Sequence, residues 1–397
     1  MPKPTKKRTK TATKKASPKR VIKSKKMGGS QLEVMLQARD SFTRDKIEVL
    51  GDIDAPIPGF ISTQSLALDW IVGNGGVPMG RIIDVSGDKG IGKSSFGDQL
   101  MSEIQRLGGH CYLWDVENAR DPKYQKTIGI ARENAGKILS ETMEDGFECM
   151  IDLIRWHAET DPDRPGVIVW DTPAATPTRA EIDTEKKDER FGPAKIIRGY
   201  LRKLNKELQK SRWILCVINQ TYQGQSMSGQ SFKAVYGGGG IPYYSSVSLS
   251  FDYPGALFRA SKDKEMRIPS IGQTIWAKCT KNRVSPPMRS RKIALIYGQG
   301  FDDSYELMET LSASGLIKQS GSWKSFDPDG LPEAAALYPG SWQGSMHDFS
   351  NVIRSTPGLL GVLVAAYREV MDARDRYCSD VRRLISTEVV KEAKSDG

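Results

Sequence analysis

The segment Gly87-Asp88-Lys89-Gly90-Ile91-Gly92-Lys93-Ser94, continued by Ser95, is where residue types and spacing dictate chemistry most directly. Its glycines let backbone amides approach phosphate oxygens, and a helix opening behind them would present unsatisfied N–H groups and its positive dipole end to the same anion. Lys93 is spaced to reach the β- and γ-phosphates of ATP, and the Ser94 hydroxyl to bind Mg²⁺. This is the P-loop pattern, and its context makes it specific: the apolar run Arg81–Ser86 precedes it and a helical pattern follows. A second carboxylate linked to Mg²⁺ is needed at the end of a neighbouring strand. Asp171 closes the apolar run Val167-Ile168-Val169-Trp170 in that position, and Asp115 ends a similar run, so on pattern alone the two are equal candidates.

The elements that must hold these residues alternate along the chain. A helix pattern over Ser65–Val72 precedes the P-loop strand, and further strands are expected at His110–Glu117, Gly166–Thr172, Trp213–Asn219, Ser246–Tyr253, Thr274–Asn282 and Lys292–Tyr297. Continuous apolar strands separated by helices indicate a buried, mostly parallel α/β sheet, and the later, closely spaced strands indicate an antiparallel extension. Upstream, Leu32, Val34, Met35, Leu36, Ala38 and Phe42 form an amphipathic pattern over Ser30–Arg44, followed by a short strand pattern at Ile47, Val49 and Leu50. Beyond about Gly300 the pattern is helical, with Gly- and Pro-containing interruptions between Ser322 and Gly344. The division expected is a tail over 1–26, a small N-terminal helix and strand unit with linker over 27–58, the α/β core over 59–303, and an α-rich C-terminal unit over 304–397.

The net charge of +10 is localised. Residues 1–26 carry ten lysines and two arginines with no acidic residue; removing those twelve charges from the 58 Lys and Arg leaves 46 against 48 Asp and Glu, or −2. The body is nearly neutral, and the tail has the composition of a disordered segment whose partner is polyanionic, nucleic acid foremost through counterion release. An expression-stabilising or targeting tail would have the same composition. The five cysteines, at 111, 149, 216, 279 and 378, show neither metal-ligand spacing nor a disulfide pattern, and the three histidines are dispersed. No stretch reaches the length of a membrane helix and no secretory segment opens the sequence, so cytoplasmic residence without a membrane partner is expected.

The string ISTQSLALDWIVGNGGVPMGRIIDVSGDKGIGKSS, Ile61 to Ser95, resembles the bacterial RecA family around its P-loop in residue types and spacing. DVENARDPKY (Asp115–Tyr124), VIVWDTPAATPTRAEI (Val167–Ile182), VINQ (Val217–Gln220), KNR (Lys281–Arg283) and LIYGQGF (Leu295–Phe301) resemble segments of that family in the same order. The resemblance selects Asp171 as the metal carboxylate. It implies that Glu117 positions the attacking water, that Gln220 senses the γ-phosphate, and that Asp121, Tyr124, Tyr297 and Gly298 contact the nucleoside. Lys281 and Arg283 match paired basic residues that reach the nucleotide of the adjacent protomer; the second is a lysine in the family, and a guanidinium carries the charge with different geometry.

By the same resemblance, the Gly-, Ser- and Gln-rich run after Gln220 matches the second DNA-binding loop. Tyr222, Phe232, Lys233 and Tyr236 supply aromatics to enter between bases and a cation for phosphate, in a loop expected to order on DNA. A first loop over Asp183–Gly192 offers Lys186, Lys187, Arg190 and Phe191, interleaved with four acids. The implied activity is that of a DNA-dependent ATPase that forms a homo-oligomeric helical filament on single-stranded DNA and exchanges strands with a homologous duplex. A RecA-core motor or helicase, and an ATP-regulated DNA-coating mediator without catalysis, are the competing readings; loader or mediator proteins as partners stay open. The lysine-rich tail, the first loop and the C-terminal region depart from the bacterial pattern, as a diverged bacterial or bacteriophage-encoded member would.

Overall fold

A computed structural model of the chain describes residues 57–118, 120–182, 192–225, 231–257 and 271–375. The tail over 1–26, the helix expected over Ser30–Arg44 and the strand expected at Ile47–Leu50 lie outside them. The chain divides into two units, Met1–Asp54 and Ala55–Gly397, and every described residue belongs to the second.

In chain order the elements that frame the core are β1 (Phe60–Ile61), α1 (Leu66–Val72), β2 (Val77–Pro78), β3 (Ile82–Gly87), α2 (Lys93–Arg106), β4 (His110–Asp115), α3 (Pro122–Thr127), β5 (Ala135–Lys137), α4 (Met143–Thr160) and β6 (Gly166–Asp171). They continue with α5 (Pro193–Gln209), β7 (Trp213–Gln225), β8 (Ser231–Val235), α6 (Gly240–Tyr244), β9 (Val247–Leu257), β10 (Gly272–Asn282), β11 (Ser290–Ile296) and β12 (Gly300–Asp302). The central sheet runs β12-β11-β10-β9-β3-β7-β6-β4-β5. From β9 through β3 to β5 all pairings are parallel, and from β9 outward to β12 all are antiparallel. The expected parallel core with an antiparallel extension is therefore the architecture found.

Side chains of a strand alternate between faces, and here both faces are covered, which is why the strands read as unbroken apolar runs. Val167 and Val169 of β6 join Ile83, Val85, Ile214 and Cys216 beneath α1 and α2. Ile168 and Trp170 point the other way, to Leu215, Val217 and the apolar faces of α4 and α5 (Phe147, Met150, Ile154, Leu201, Leu204, Leu208). On that second face Trp114 and Trp170 stack with centroids 5.1 Å apart, and the Phe147 ring meets Trp170 edge-on at 5.1 Å.

Beyond β12 the chain forms α7 (Asp303–Ala313), β13 (Ile317–Ser320), β14 (Trp323–Phe326), α8 (Pro332–Leu337), β15 (Trp342–Gln343), α9 (Met346–Ser355) and a helix over 359–375. Helices predominate, but a three-stranded antiparallel sheet, β13-β14-β15, begins just before the interrupted stretch and continues within it, which the helical pattern did not anticipate. Its strands span two to four residues, too few for alternation to declare itself. Leu307, Ile317, Phe326, Trp342, Phe349, Leu363 and Tyr367 make a third apolar cluster against which Leu66 and Trp70 of α1 pack. Among the described residues no helix is long and apolar enough to cross a membrane.

The second core face has no slack beside Trp114: a Cβ on Gly146 would lie 2.1 Å from its ring. Gly146→Val is expected to destabilise the fold by about 1–3 kcal/mol through overpacking. A lowered urea midpoint at unchanged slope would report this, and an unshifted midpoint would show that α4 can move away.

Candidate nucleotide and DNA-binding site

The P-loop leaves β3 at Gly87 and turns into α2 at Lys93. The turn requires glycine at 92, which adopts φ 91° as the helix N-cap and whose Cβ would meet the Leu295 side chain at 2.7 Å. The loop is pinned from two strands: Gln273 Nε2 of β10 donates to the Gly90 carbonyl at 2.9 Å, and Thr221 Oγ1 of β7 donates to Asp88 Oδ1 at 2.5 Å. Lys93 is buried, and its Nζ donates to the Asp88 carbonyl at 2.6 Å. Burial lowers its pKa, opposed by the negative charges of Asp171, Asp88 and Glu117.

Of the two strand-end carboxylates, Asp171 is the one that Ser94 engages: Ser94 Oγ donates to Asp171 Oδ2 at 2.7 Å. Asp115 sits beside Asp171 in the β4–β6 register, at the end of the adjacent strand. A hydroxyl and a carboxylate, hard oxygen donors behind a rim of backbone N–H groups and a lysine ammonium, fit Mg²⁺ delivered with phosphates better than an all-protein metal cage. A cavity of about 600 Å³ opens beside them, lined by Gly90 to Ser95, Asp121, Lys123, Tyr124, Thr127, Tyr297 and Gly298. It thus gathers five P-loop residues, Ser95 and the four residues expected on the nucleoside side. Within it Tyr124 Oη donates to Ser95 Oγ at 2.7 Å, and Asp121 caps α3 by accepting from the Lys123 N–H at 2.9 Å. Tyr297 is exposed, and Gly298 turns the chain at φ 76°.

Glu117 lies just past the end of β4, exposed, and accepts a hydrogen bond from Gln220 Nε2 at 2.9 Å. Gln220 sits opposite Gly87 in the β3–β7 register, so one strand carries it to the start of the P-loop. β7 does not stop there. It runs on to Gln225 and pairs antiparallel with β8, Thr221 opposite Val235 and Gln225 opposite Ser231, so the expected second DNA loop is in its described part a β-hairpin. Tyr222 is exposed on it, and the carbonyl of half-buried Tyr236 accepts from Asn219 Nδ2 at 3.2 Å. Phe232 and Lys233 lie on β8; their side chains fall outside the described residues, as do Lys186, Lys187, Arg190 and Phe191 of the first loop.

Lys281 and Arg283 are not brought to this chain's own P-loop. Val247 pairs with Asn282 on one side and with Ile83 on the other, whereas Gly87 pairs with Phe251, four residues further along β9. At roughly 3.3 Å per strand residue, the two cations lie more than about 13 Å from the loop, toward the opposite rim of the sheet. There Lys281 Nζ donates to the carbonyls of Pro242 and Tyr243 at 2.6 and 2.8 Å, and Arg283 Nη2 to that of Tyr243 at 2.9 Å.

Four residues of the site were missed in the sequence: Thr221, Gln273, Asp98 and Arg120. The Arg120 guanidinium is buried and donates to Asp98, to the Ser94 carbonyl at 3.0 Å and to Asp171 Oδ2 at 2.8 Å. Its only signal was a lone cation between Glu117 and Asp121 in a segment read for its acids.

A glycine loop from a central parallel strand into a helix N-terminus, with a loop serine hydrogen-bonded to a carboxylate two strands away, defines a P-loop nucleotide-binding protein. Comparison narrows the class. The family model of the RecA N-terminal domain matches residues 31–302. Protein RecA of Sinorhizobium fredii (strain NBRC 101917 / NGR234) is 31% identical over 348 residues, 86% of this chain and 93% of that one. Protein RecA of Bartonella bacilliformis is 31% identical over 331 residues, covering 82% and 92%, and that of Allochromatium vinosum 32% over 295 residues, covering 74% and 81%. The chain belongs to the RecA family.

If Lys93 binds phosphate as its place in the P-loop leads one to expect, truncating it removes a charge-assisted hydrogen bond worth about 1.5–3 kcal/mol. Lys93→Ala is expected to weaken binding of a fluorescent ADP analogue at least about tenfold. Wild-type affinity in a folded variant would remove Lys93 from the nucleotide site.

Proposed function

We propose that this chain is an ATP-dependent DNA recombinase. Its ATP-bound protomers assemble as a helical filament on single-stranded DNA, pair it with a homologous duplex, exchange strands and release after hydrolysis. The observation that carries the reading is the Gln220–Glu117 hydrogen bond, because it joins a strand-end carboxylate beside the P-loop to the strand that continues into the Tyr222 hairpin. A shift of the Gln220 amide is transmitted along a continuous β-strand, so the state of the terminal phosphate and the pose of the DNA-facing hairpin are linked.

In this reading backbone amides of 87–95 and Lys93 bind the phosphates, and Asp121, Tyr124, Tyr297 and Gly298 surround the nucleoside. Ser94 and Asp171 would hold Mg²⁺, which when bound neutralises phosphate charge. Glu117 orients the attacking water and Gln220 senses the γ-phosphate; phosphoryl transfer asks for little more than this alignment and charge stabilisation. Lys281 and Arg283 act on the nucleotide of the adjacent protomer, which agrees with their distance from their own P-loop. Tyr222, Phe232, Lys233 and Tyr236, with Lys186, Lys187, Arg190 and Phe191 of the first loop, meet the DNA. The core is taken to span 59–303 and the C-terminal unit 304–397; the apolar cluster of the latter packs against Leu66 and Trp70 of the core.

Strand exchange measured with homologous and non-homologous duplexes, under ATP, a slowly hydrolysed analogue and ADP, tests the reading. Product is expected only with homology and only with the triphosphates. DNA-stimulated hydrolysis without homologous product would favour a motor, and ATP-dependent filaments without hydrolysis a mediator. Glu117→Gln is expected to keep ATP binding while slowing DNA-stimulated hydrolysis by roughly a hundredfold or more, the scale of a lost water-positioning base; unchanged turnover would reject that role.

Removing residues 1–26 is expected to lessen the salt dependence of DNA binding while leaving ATP turnover intact, since fewer phosphates are then neutralised and fewer counterions released. An unchanged slope of log affinity against log salt would exclude the tail as a DNA arm.

A further inference from the structure

Arg120 is a permanent cation touching the carboxylate proposed to hold the metal. Its side chain is 7% exposed and fixed on several sides: Nη1 donates to Asp98 and to the Ser94 carbonyl, and Nη2 donates to Asp171 Oδ2 at 2.8 Å. Asp98 follows Ser94 by one turn of α2, is itself buried, and also accepts from Gln125 Nε2 at 3.3 Å. Burial opposes the Arg120 charge, but Asp98, Asp171 and Asp115 together hold its pKa above the ordinary guanidinium value. Asp171 Oδ2 therefore receives the Ser94 hydroxyl and the guanidinium at once.

We propose that Arg120 makes divalent-metal binding conditional on nucleotide: its guanidinium occupies Asp171 Oδ2, so that the Ser94–Asp171 pair binds Mg²⁺ only when a nucleotide's phosphates add oxygen ligands and negative charge. The inference rests on the metal-site reading above. A metal ion approaching Asp171 would have to compete with the guanidinium for Oδ2, the oxygen that Ser94 also engages, and at a largely buried pair that charge is not screened as at a surface. Phosphate oxygens change that balance, so the metal enters with the nucleotide rather than ahead of it. A purely structural role explains less. A buried ion-pair triad is often replaceable by apolar residues without loss of stability, whereas the guanidinium bears directly on the oxygen that Ser94 also engages. Arg120 is thus a positioning residue, acting on the metal through Asp171.

The test uses the full-length protein and two readouts: Mn²⁺ binding by electron paramagnetic resonance without nucleotide, and the Mg²⁺ dependence of binding of a fluorescent ADP analogue. The wild type is expected to bind Mn²⁺ weakly alone and tightly with nucleotide. The paired variant Arg120→Met with Asp98→Leu frees Asp171 Oδ2 at unchanged net charge and without orphaning Asp98, and should bind nucleotide-free Mn²⁺ about tenfold more tightly and lose most of the coupling. Arg120→Lys keeps the charge and should keep the coupling.

A folded paired variant with wild-type coupling would overturn the proposal, as would a wild type that binds Mn²⁺ equally with and without nucleotide. Should the paired variant not fold, Arg120→Gln gives the same readout, and failure of both to fold would assign Arg120 to folding and overturn the proposal. Asp171→Asn separates the two readings. If it leaves the Mg²⁺ dependence unchanged, the metal site itself is wrong; if it abolishes that dependence while the Arg120 variants do not alter it, only the Arg120 role fails.

Discussion

The parallel register of β4, β6, β7, β3 and β9 is the constraint on which the site depends. Hydrogen bonding aligns Asp115 with Asp171, Asp171 with Ile218, Gly87 with Gln220 and Gly87 with Phe251, so the C-terminal ends of these strands share one rim. Parallel strands joined through helices have little freedom to slip, because a shift of one residue would turn a whole apolar set to the wrong face. With both faces buried, the core that stabilises the fold is also what fixes the carboxylate of β6 beside the serine of α2. The crevice at such a rim is where open α/β sheets bind ligands, and here it receives the dipole end of α2 as well.

That rim also explains why polar residues can be packed so densely. Asp98, Asp171, Arg120 and Lys93 are all buried or nearly so, and an unpaired charge there would be costly. Each is held by a partner whose position follows from the same register: Asp171 by Ser94 and Arg120, Lys93 by the loop carbonyl of Asp88, and Asp88 in turn by Thr221. The network reaches β10 through Gln273 and β7 through Thr221, so the P-loop touches both the antiparallel extension and the hairpin strand. The P-loop thus has direct contacts, through Asp88 and Thr221, with the strand that forms the Tyr222 hairpin.

The strands of the core were legible because burial on both faces writes them as apolar runs, and the P-loop because its glycines have a steric reason at fixed spacing. The helix at Ser65–Val72 appeared within one residue of α1, since Ser65 is its N-cap. The proposed metal carboxylate needed resemblance, because Asp115 and Asp171 end equivalent runs one strand apart and are separated by contacts with Ser94 and Arg120 that no local pattern records. Arg120 and Gln273 were illegible for another reason: a polar residue's burial depends on partners distant in sequence, Asp98 on α2 and Gly90 in the loop, and no local pattern records it. The hairpin after Gln220 reads as loop because Gly, Ser and Gln carry little strand preference, and its pairing continues a strand already set by the core. The segment over 183–191 lies outside the described residues.

The placement of Lys281 and Arg283 bears on assembly. The P-loop opens on one rim of the sheet, while the two cations lie toward the other, held by the carbonyls of α6. If those cations complete a nucleotide site, as proposed, they cannot complete the one in their own chain; a second copy must supply them. Donor and acceptor surfaces are then different faces of the same protomer, which makes the contact head-to-tail. A head-to-tail contact generates a ring when its rotation closes and an open helix when it does not, whereas a two-fold dimer would require the same patch on both sides. Polymerisation and completion of the ATPase site are thus one event in this reading, and the division of the site between two rims of a rigid sheet is its physical cause.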